Sequence, residues 1–154
     1  MDSPLRPDLS INDLTGIAIG VFYDVYNELA GFPEFVLRRA TAIALRDAGL
    51  AAREEVSLPV WFRGRRIVTF KADLVVEERL IVEVKTRPTL EAFNKAQLLH
   101  YLKATHIEVG LLMNFGRTPE FSRVIYQQAR NRPPHTPPSD LQKRLEEPQN
   151  DSNQ

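Results

Sequence analysis

The chain is 154 residues long, and its 20 Lys and Arg cancel its 20 Asp and Glu to a formal net charge of zero. That balance excludes a histone-like or polybasic nucleic-acid binder, while one domain's length and 43% hydrophobic residues suffice for a single core. Zero cysteines exclude disulfides, thiolate zinc sites, Cys-ligated iron–sulfur clusters and a cysteine nucleophile together. Any metal must therefore sit on oxygen or imidazole. No run approaches the roughly 18 apolar residues of a spanning helix, and Met1 to Asp8 has neither a charged n-region nor an apolar h-region. A cytoplasmic protein with no membrane partner is the expectation.

Leu14, Ile17, Ala18, Val21, Phe22, Val25, Tyr26 and Leu29 fall at helical spacing, with Asp13 as N-cap and an end near Gly31. Pro33 suits the first position of a second helix with the apolar face Leu37, Ala40, Ile43, Ala44 and Leu45 and a stop at Gly49. Glu34 then lies in its first turn. From Val56 the period becomes two: strands over 56–62, 67–76 and 80–85, a turn at 63–66 and a tight connection at 77–79. A helix over 90–105, a buried strand over 109–115 and an edge strand over 121–126 follow. This order predicts an α/β sandwich in one domain over residues 1–130, its mixed sheet a three-strand meander plus one or two further strands. Five of the 11 prolines lie among Ser, Asn, Gln and Asp from Pro133 onward, so 131–154 reads as a Pro-rich, disordered tail.

Charge is unevenly spread. From Arg38 to Lys71, eight basic residues (38, 39, 46, 53, 63, 65, 66 and 71) stand against Asp47, Glu54 and Glu55. A solvated face with a charged hairpin tip and a phosphate-contacting patch both fit that stretch. Trp61 and Phe62, beside Arg63, Arg65 and Arg66, fit either a core Trp at a strand end or a stacking contact for single strands.

A three-residue loop at 77–79 sets Val76 opposite Leu80 and therefore Asp73 opposite Glu83, with Cβ atoms about 5 Å apart. Two facing carboxylates destabilise a sheet unless a cation lies between them. Lys85 follows on Glu83's face. Two hard oxygen ligands beside an ammonium group suit Mg²⁺ or Mn²⁺ and a phosphate; the polar face of an amphipathic hairpin would carry the same residues. Gln97 and Tyr101 share one side of the following helix, with a solvated Gln and a core Tyr as the bland alternative. His100, His106 and His135 belong to no nucleophile motif.

The runs Lys71-Ala72-Asp73-Leu74-Val75-Val76, Leu80-Ile81-Val82-Glu83-Val84-Lys85, Ala96-Gln97-Leu98-Leu99-His100-Tyr101-Leu102-Lys103 and Gly110-Leu111-Leu112-Met113-Asn114-Phe115-Gly116 resemble the GxxExxY protein family, in the RecB-like branch of the PD-(D/E)xK nuclease superfamily. The resemblance spans about residues 11–128 and implies a restriction-endonuclease-like core and Mg²⁺- or Mn²⁺-dependent hydrolysis of DNA, leaving 5′-phosphate and 3′-hydroxyl ends. By position, Asp73 and Glu83 match the metal-binding acids. The Val84 carbonyl matches a further ligand, and Lys85 the lysine that positions or deprotonates water. Glu34 matches the eponymous glutamate, which can reach the metal; a carboxylate favouring a helix N-terminus is its other explanation. Gln97 and Tyr101 match the motif that supports the site and contacts substrate phosphate. The sequence departs from the family at Leu37, where the name-giving tyrosine belongs, and at Asn94 and Tyr26, where many relatives carry histidine. A catalytically weak or inactive module binding nucleic acid or a protein partner is the alternative, and a homodimer is compatible with either.

Overall fold

The computed structural model describes residues 3–127; the tail expected over 131–154 lies outside them. The elements are α1 (Ile11–Leu29), α2 (Glu34–Asp47), β1 (Ala52–Phe62), β2 (Arg65–Val76), β3 (Leu80–Lys85), α3 (Ala92–Lys103), β4 (Val109–Phe115) and β5 (Pro119–Ile125). They form one five-stranded sheet in the order β1-β2-β3-β4-β5. Its neighbours are antiparallel except the β3–β4 pair, which the α3 crossover makes parallel. The α/β architecture with a mixed, helix-flanked sheet is thus as the sequence predicts. No helix among the described residues is long and apolar enough to cross a membrane.

Several boundaries differ from expectation for local reasons. The N-cap of α1 is Ser10, whose hydroxyl accepts the Asp13 N–H at 3.0 Å; Asp13 sits inside the first turn. Pro33 is the cap of α2 rather than its first residue. Ile43, expected on the apolar face, is 57% exposed, and Thr41 is buried there instead. Thr41 can be, because its hydroxyl donates to the Leu37 carbonyl at 2.7 Å. Arg63 and Gly64 both have positive φ (48° and 76°), so the hairpin closes in two residues and β2 begins at Arg65.

Two apolar layers sandwich the sheet. On one face α1 and α2 bury Leu14, Phe22, Leu37 and Leu45 against Leu74, Val82, Val84 and Leu111. On the other, α3 buries Leu98, Tyr101 and Leu102 against Val75, Ile81 and Leu112. Gly110 on β4 lets α3 lie close: a Cβ there would be 2.8 Å from the Leu98 side chain.

Strict alternation predicts that the even positions Val68, Phe70, Ala72, Leu74 and Val76 of β2 share one face, and they do not. Leu74 and Val76 face α1 and α2, whereas Ala72 and Phe70 belong to the α3 layer. The change falls where the ladder lapses. Glu54 pairs with Leu74 and Val56 with Ala72, but Glu55, at φ 50°, and Asp73 form no pair. Beyond that point β1 and β2 continue as a two-stranded ribbon, since β3 pairs only with Leu74, Val75 and Val76.

At the opposite end of β2 the connection 77–79 is fixed by Glu77, which is 2% exposed. Its carboxylate accepts the Ala51 N–H at 2.8 Å and the Arg6 N–H at 2.6 Å. Removing it leaves both donors without their acceptor, so Glu77→Ala should lower unfolding stability by about 2 kcal/mol in urea denaturation. A change within error would show that water replaces the carboxylate without loss.

Candidate active site

The expected Val76–Leu80 register holds, and the main-chain pairs run to Leu74–Val82. The next position carries Asp73 and Glu83, and there side chains take over. The Asp73 N–H donates to Glu83 Oε1 at 2.9 Å, and the Val84 N–H donates to Asp73 Oδ2 at 2.8 Å. Each carboxylate is thus tied to the other strand. Glu83 is 3% exposed. Burial, and then the Asp73 carboxylate beside it, push its pKa up to about 8, against the lowering by the Asp73 N–H and Lys85.

Lys85, two residues on, donates from Nζ to Gln97 Oε1 at 2.9 Å. Gln97 is therefore part of the site rather than a solvated surface group. Tyr101, one turn later on α3, takes the core position considered for it and lies within reach of the charges of Glu83 and Asp73. Its ring packs in the α3 layer, 5.2 Å from the Phe70 centroid. Its pKa is pushed to about 12 by burial, then by the charges of Glu83 and Asp73. The hydroxyl keeps its proton and can donate.

Glu34 opens α2 at the edge of this group. Partial burial raises its pKa; Lys85, Arg87 and a Thr86 hydrogen bond oppose that rise, and Asp73 adds to it. It feels the site's charges, yet among the described residues no three His, Cys, Asp or Glu side chains converge to hold a metal. Asp73 and Glu83 offer two carboxylates, and the Val84 carbonyl is a main-chain oxygen next to them in sequence. At the departures, Leu37 is wholly buried among the α1–α2 core, and Tyr26 donates its hydroxyl to the Gly116 and Arg117 carbonyls at 2.7 Å. Asn94, 1% exposed, closes a capping box with Glu91, accepting the Glu91 N–H at 3.0 Å.

One supporting residue was quoted in the motif without a role. Asn114 is fully buried beside Lys85 on the parallel neighbour. Its Oδ1 accepts the Arg87 N–H at 2.8 Å and its Nδ2 donates to the Arg87 carbonyl at 2.9 Å, fixing the loop after Lys85. Gly116 permits that approach: a Cβ there would lie 2.5 Å from the Arg87 oxygen. The signal was an amide in an otherwise apolar strand, since a buried amide must be hydrogen-bonded.

The donor chemistry fits a hard divalent cation. Carboxylate oxygens suit Mg²⁺ or Mn²⁺, and Glu83 retains a proton up to about pH 8 when only Asp73 and Lys85 balance it.

The family model of the PD-(D/E)XK nuclease superfamily matches residues 12–124. No curated protein matches the chain. Among solved structures, the protein of "Crystal structure of SSO0001" is similar at 18% identity and a TM-score of 0.47, over 77% of this chain and 62% of that one. The chain thus corresponds to less than two thirds of that protein's length.

Without metal, folded protein holds the Glu83 proton to about pH 8, whereas the unfolded chain releases it near 4.5. This contribution to stability is complete below pH 4.5 and is lost as pH rises to about 8. In EDTA, the unfolding free energy of the wild type, measured in urea, should therefore fall over that range more steeply than that of Glu83→Gln, the difference amounting to a few kcal/mol. Parallel curves would assign the pH dependence to other groups.

Proposed function

The chain belongs to the PD-(D/E)XK nuclease superfamily, and on that premise we propose that it is a Mg²⁺-dependent nuclease hydrolysing DNA phosphodiester bonds, in the GxxExxY family of the RecB-like branch. The observation that carries this reading is the reciprocally tied pair of Asp73 and the buried Glu83, with Lys85 held beside it by Gln97.

Asp73, Glu83 and the Val84 carbonyl would hold the cation. When bound, it supplies a Lewis acid for a phosphate oxygen and lowers the pKa of water. Lys85 spends one ammonium hydrogen on Gln97 and keeps two donors for the attacking water and the phosphate. Gln97 fixes that lysine's position, and the protonated Tyr101 hydroxyl can donate to a phosphate oxygen. Water attacks phosphorus in line as it gives up a proton to solvent, and the bond to the 3′ oxygen breaks as that oxygen takes a proton from solvent, leaving 5′-phosphate and 3′-hydroxyl ends. Glu34 adds negative charge at the mouth, where it can reach the cation once substrate and metal draw the site together.

A second reading, a module that binds nucleic acid or a protein partner without cutting, is favoured by Leu37. It lies in the core where the family tyrosine would offer a hydroxyl.

Lys85→Ala should abolish Mg²⁺-dependent cleavage of plasmid and oligonucleotide DNA while moving the Tm by no more than about 4 °C, because a half-buried polar contact contributes about 1 kcal/mol. Cleavage that persists in this variant removes the assignment. Titrating Mn²⁺ or Mg²⁺ should raise the Tm of the wild type as RT ln(1 + [L]/Kd) and leave that of Asp73→Asn unmoved. No rise in the wild type would favour the module that binds without cutting.

A further inference from the structure

Of the eight basic residues between Arg38 and Lys71, Arg39 is exposed on α2 and the other seven separate into two groups. Arg38 pairs with Glu54 and Glu55, Arg46 with Glu54, Arg53 with Glu78 through two bonds of 2.7 and 2.9 Å, and Lys71 approaches Glu55. These close the base of the β1–β2 hairpin. At its tip Arg63, Arg65 and Arg66 are exposed, and among the described residues none of the three forms an ion pair. Arg63 lies over the ring of Phe62, itself 53% exposed, at 5.0 Å.

The ribbon that carries this tip is unlike the rest of the sheet. Because β2 runs antiparallel to β3, residues 65–70 continue past the end of β3 at which Lys85 lies. At about 3.3 Å per residue they reach roughly 25 Å from Asp73. Ile67 is an extra residue in the ladder, between the pairs Val60–Val68 and Trp61–Arg66, and such a bulge adds twist near the tip. One flank presents Ser57, Ile67, Thr69 and Lys71 to solvent. The other shares a cavity of about 280 Å³ with His100 and Lys103 of α3. Exposed apolar and unpaired cationic side chains on a two-stranded ribbon are a poor design for a free surface. Such a ribbon fits the major groove, which is about 12 Å wide.

We propose that the β1–β2 ribbon is an arm that grips double-stranded DNA. Arg63, Arg65 and Arg66 neutralise phosphates roughly 25 Å from the one positioned at Asp73 and Glu83, with Phe62 and Ile67 against the groove. The arm therefore selects substrates with about seven or eight base pairs of duplex beside the scissile bond, at about 3.4 Å per pair. Local charge at the tip reconciles duplex binding with zero net charge. This inference rests on the nuclease reading for the site, and its test keeps the two apart.

Binding of a 24-base-pair duplex is measured by fluorescence anisotropy in Mg²⁺, in a Lys85→Ala background so that the duplex persists. With Arg63, Arg65 and Arg66 all changed to Ala, affinity should fall at least tenfold. The slope of log K against log salt should become shallower by up to about 3, at 0.9 per phosphate. The three side chains are exposed at a turn, so an unchanged Tm accompanies the loss. Equal affinity and slope would overturn the proposal, as would tighter arm-dependent binding of the corresponding single strand. Hydrolysis of bis(p-nitrophenyl) phosphate, too small to reach the arm, should be the same for the triple variant with Lys85 intact as for the wild type. No hydrolysis in the wild type would sink the nuclease reading while leaving arm-dependent duplex binding to be judged by itself.

Discussion

Between β2 and β3 the main-chain ladder stops after Leu74 and Val82, and two carboxylates continue it. Much else depends on that exchange. A strand bonded through its backbone must keep its pleat and its partner, whereas one bonded through side chains is free to turn. Released in this way at Asp73, β2 changes which layer its side chains enter and leads into the ribbon. The same exchange aims the carboxylates. One oxygen of each is occupied by an N–H of the other strand, so rotation about the side-chain bonds is restricted before any ligand arrives. The cost is a buried acid that resists ionisation, with its pKa at about 8. A carboxylate in that condition has more to gain from a cation than a solvated one does.

Around this junction the neighbouring elements act as spacers. The parallel register sets Asn114 beside Lys85, and its amide holds the main chain of Arg87 from both sides. Tyr26 reaches from α1 to the Gly116 and Arg117 carbonyls, so the first helix is fastened to the turn that supports the same loop. Leu37 and Tyr26 differ in type from the residues that the sequence resemblance implies there, yet neither leaves a gap. One fills core volume and the other is a phenol that finds its own acceptors.

The strands β3 and β4 were legible to the residue, because a buried parallel pair needs continuous apolar runs and few other sequences supply them. The register between Asp73 and Glu83 was legible from loop length alone. Helix starts were not: Ser10 outcompetes Asp13 as a cap through one hydroxyl bond that periodicity does not register. The shared face of β2 misled for a similar reason, since alternation assumes an unbroken ladder and the break at Glu55 and Asp73 is a long-range event. Of the candidate site, the facing acids and the lysine could be placed from spacing, whereas for Gln97 spacing leaves a solvated group and a site residue both open, and the Lys85 bond decides between them. The sorting of arginines into ion-paired and unpaired sets could not, because Glu54, Glu55 and Glu78 meet them only through the folded hairpin.

Gly110 has no chemical function and lies on the strand beyond β3, yet it sets how near α3 can come to the sheet. Its neighbour across the gap, Leu98, follows Gln97 directly and precedes Tyr101 by three residues. Helix standoff and the geometry of the Lys85–Gln97 contact are therefore one variable, read out at opposite ends of a single leucine. A lineage could retune how closely Gln97 and Tyr101 approach Lys85 and the two acids by adding or removing volume in this layer, with every polar residue of the group left as it is.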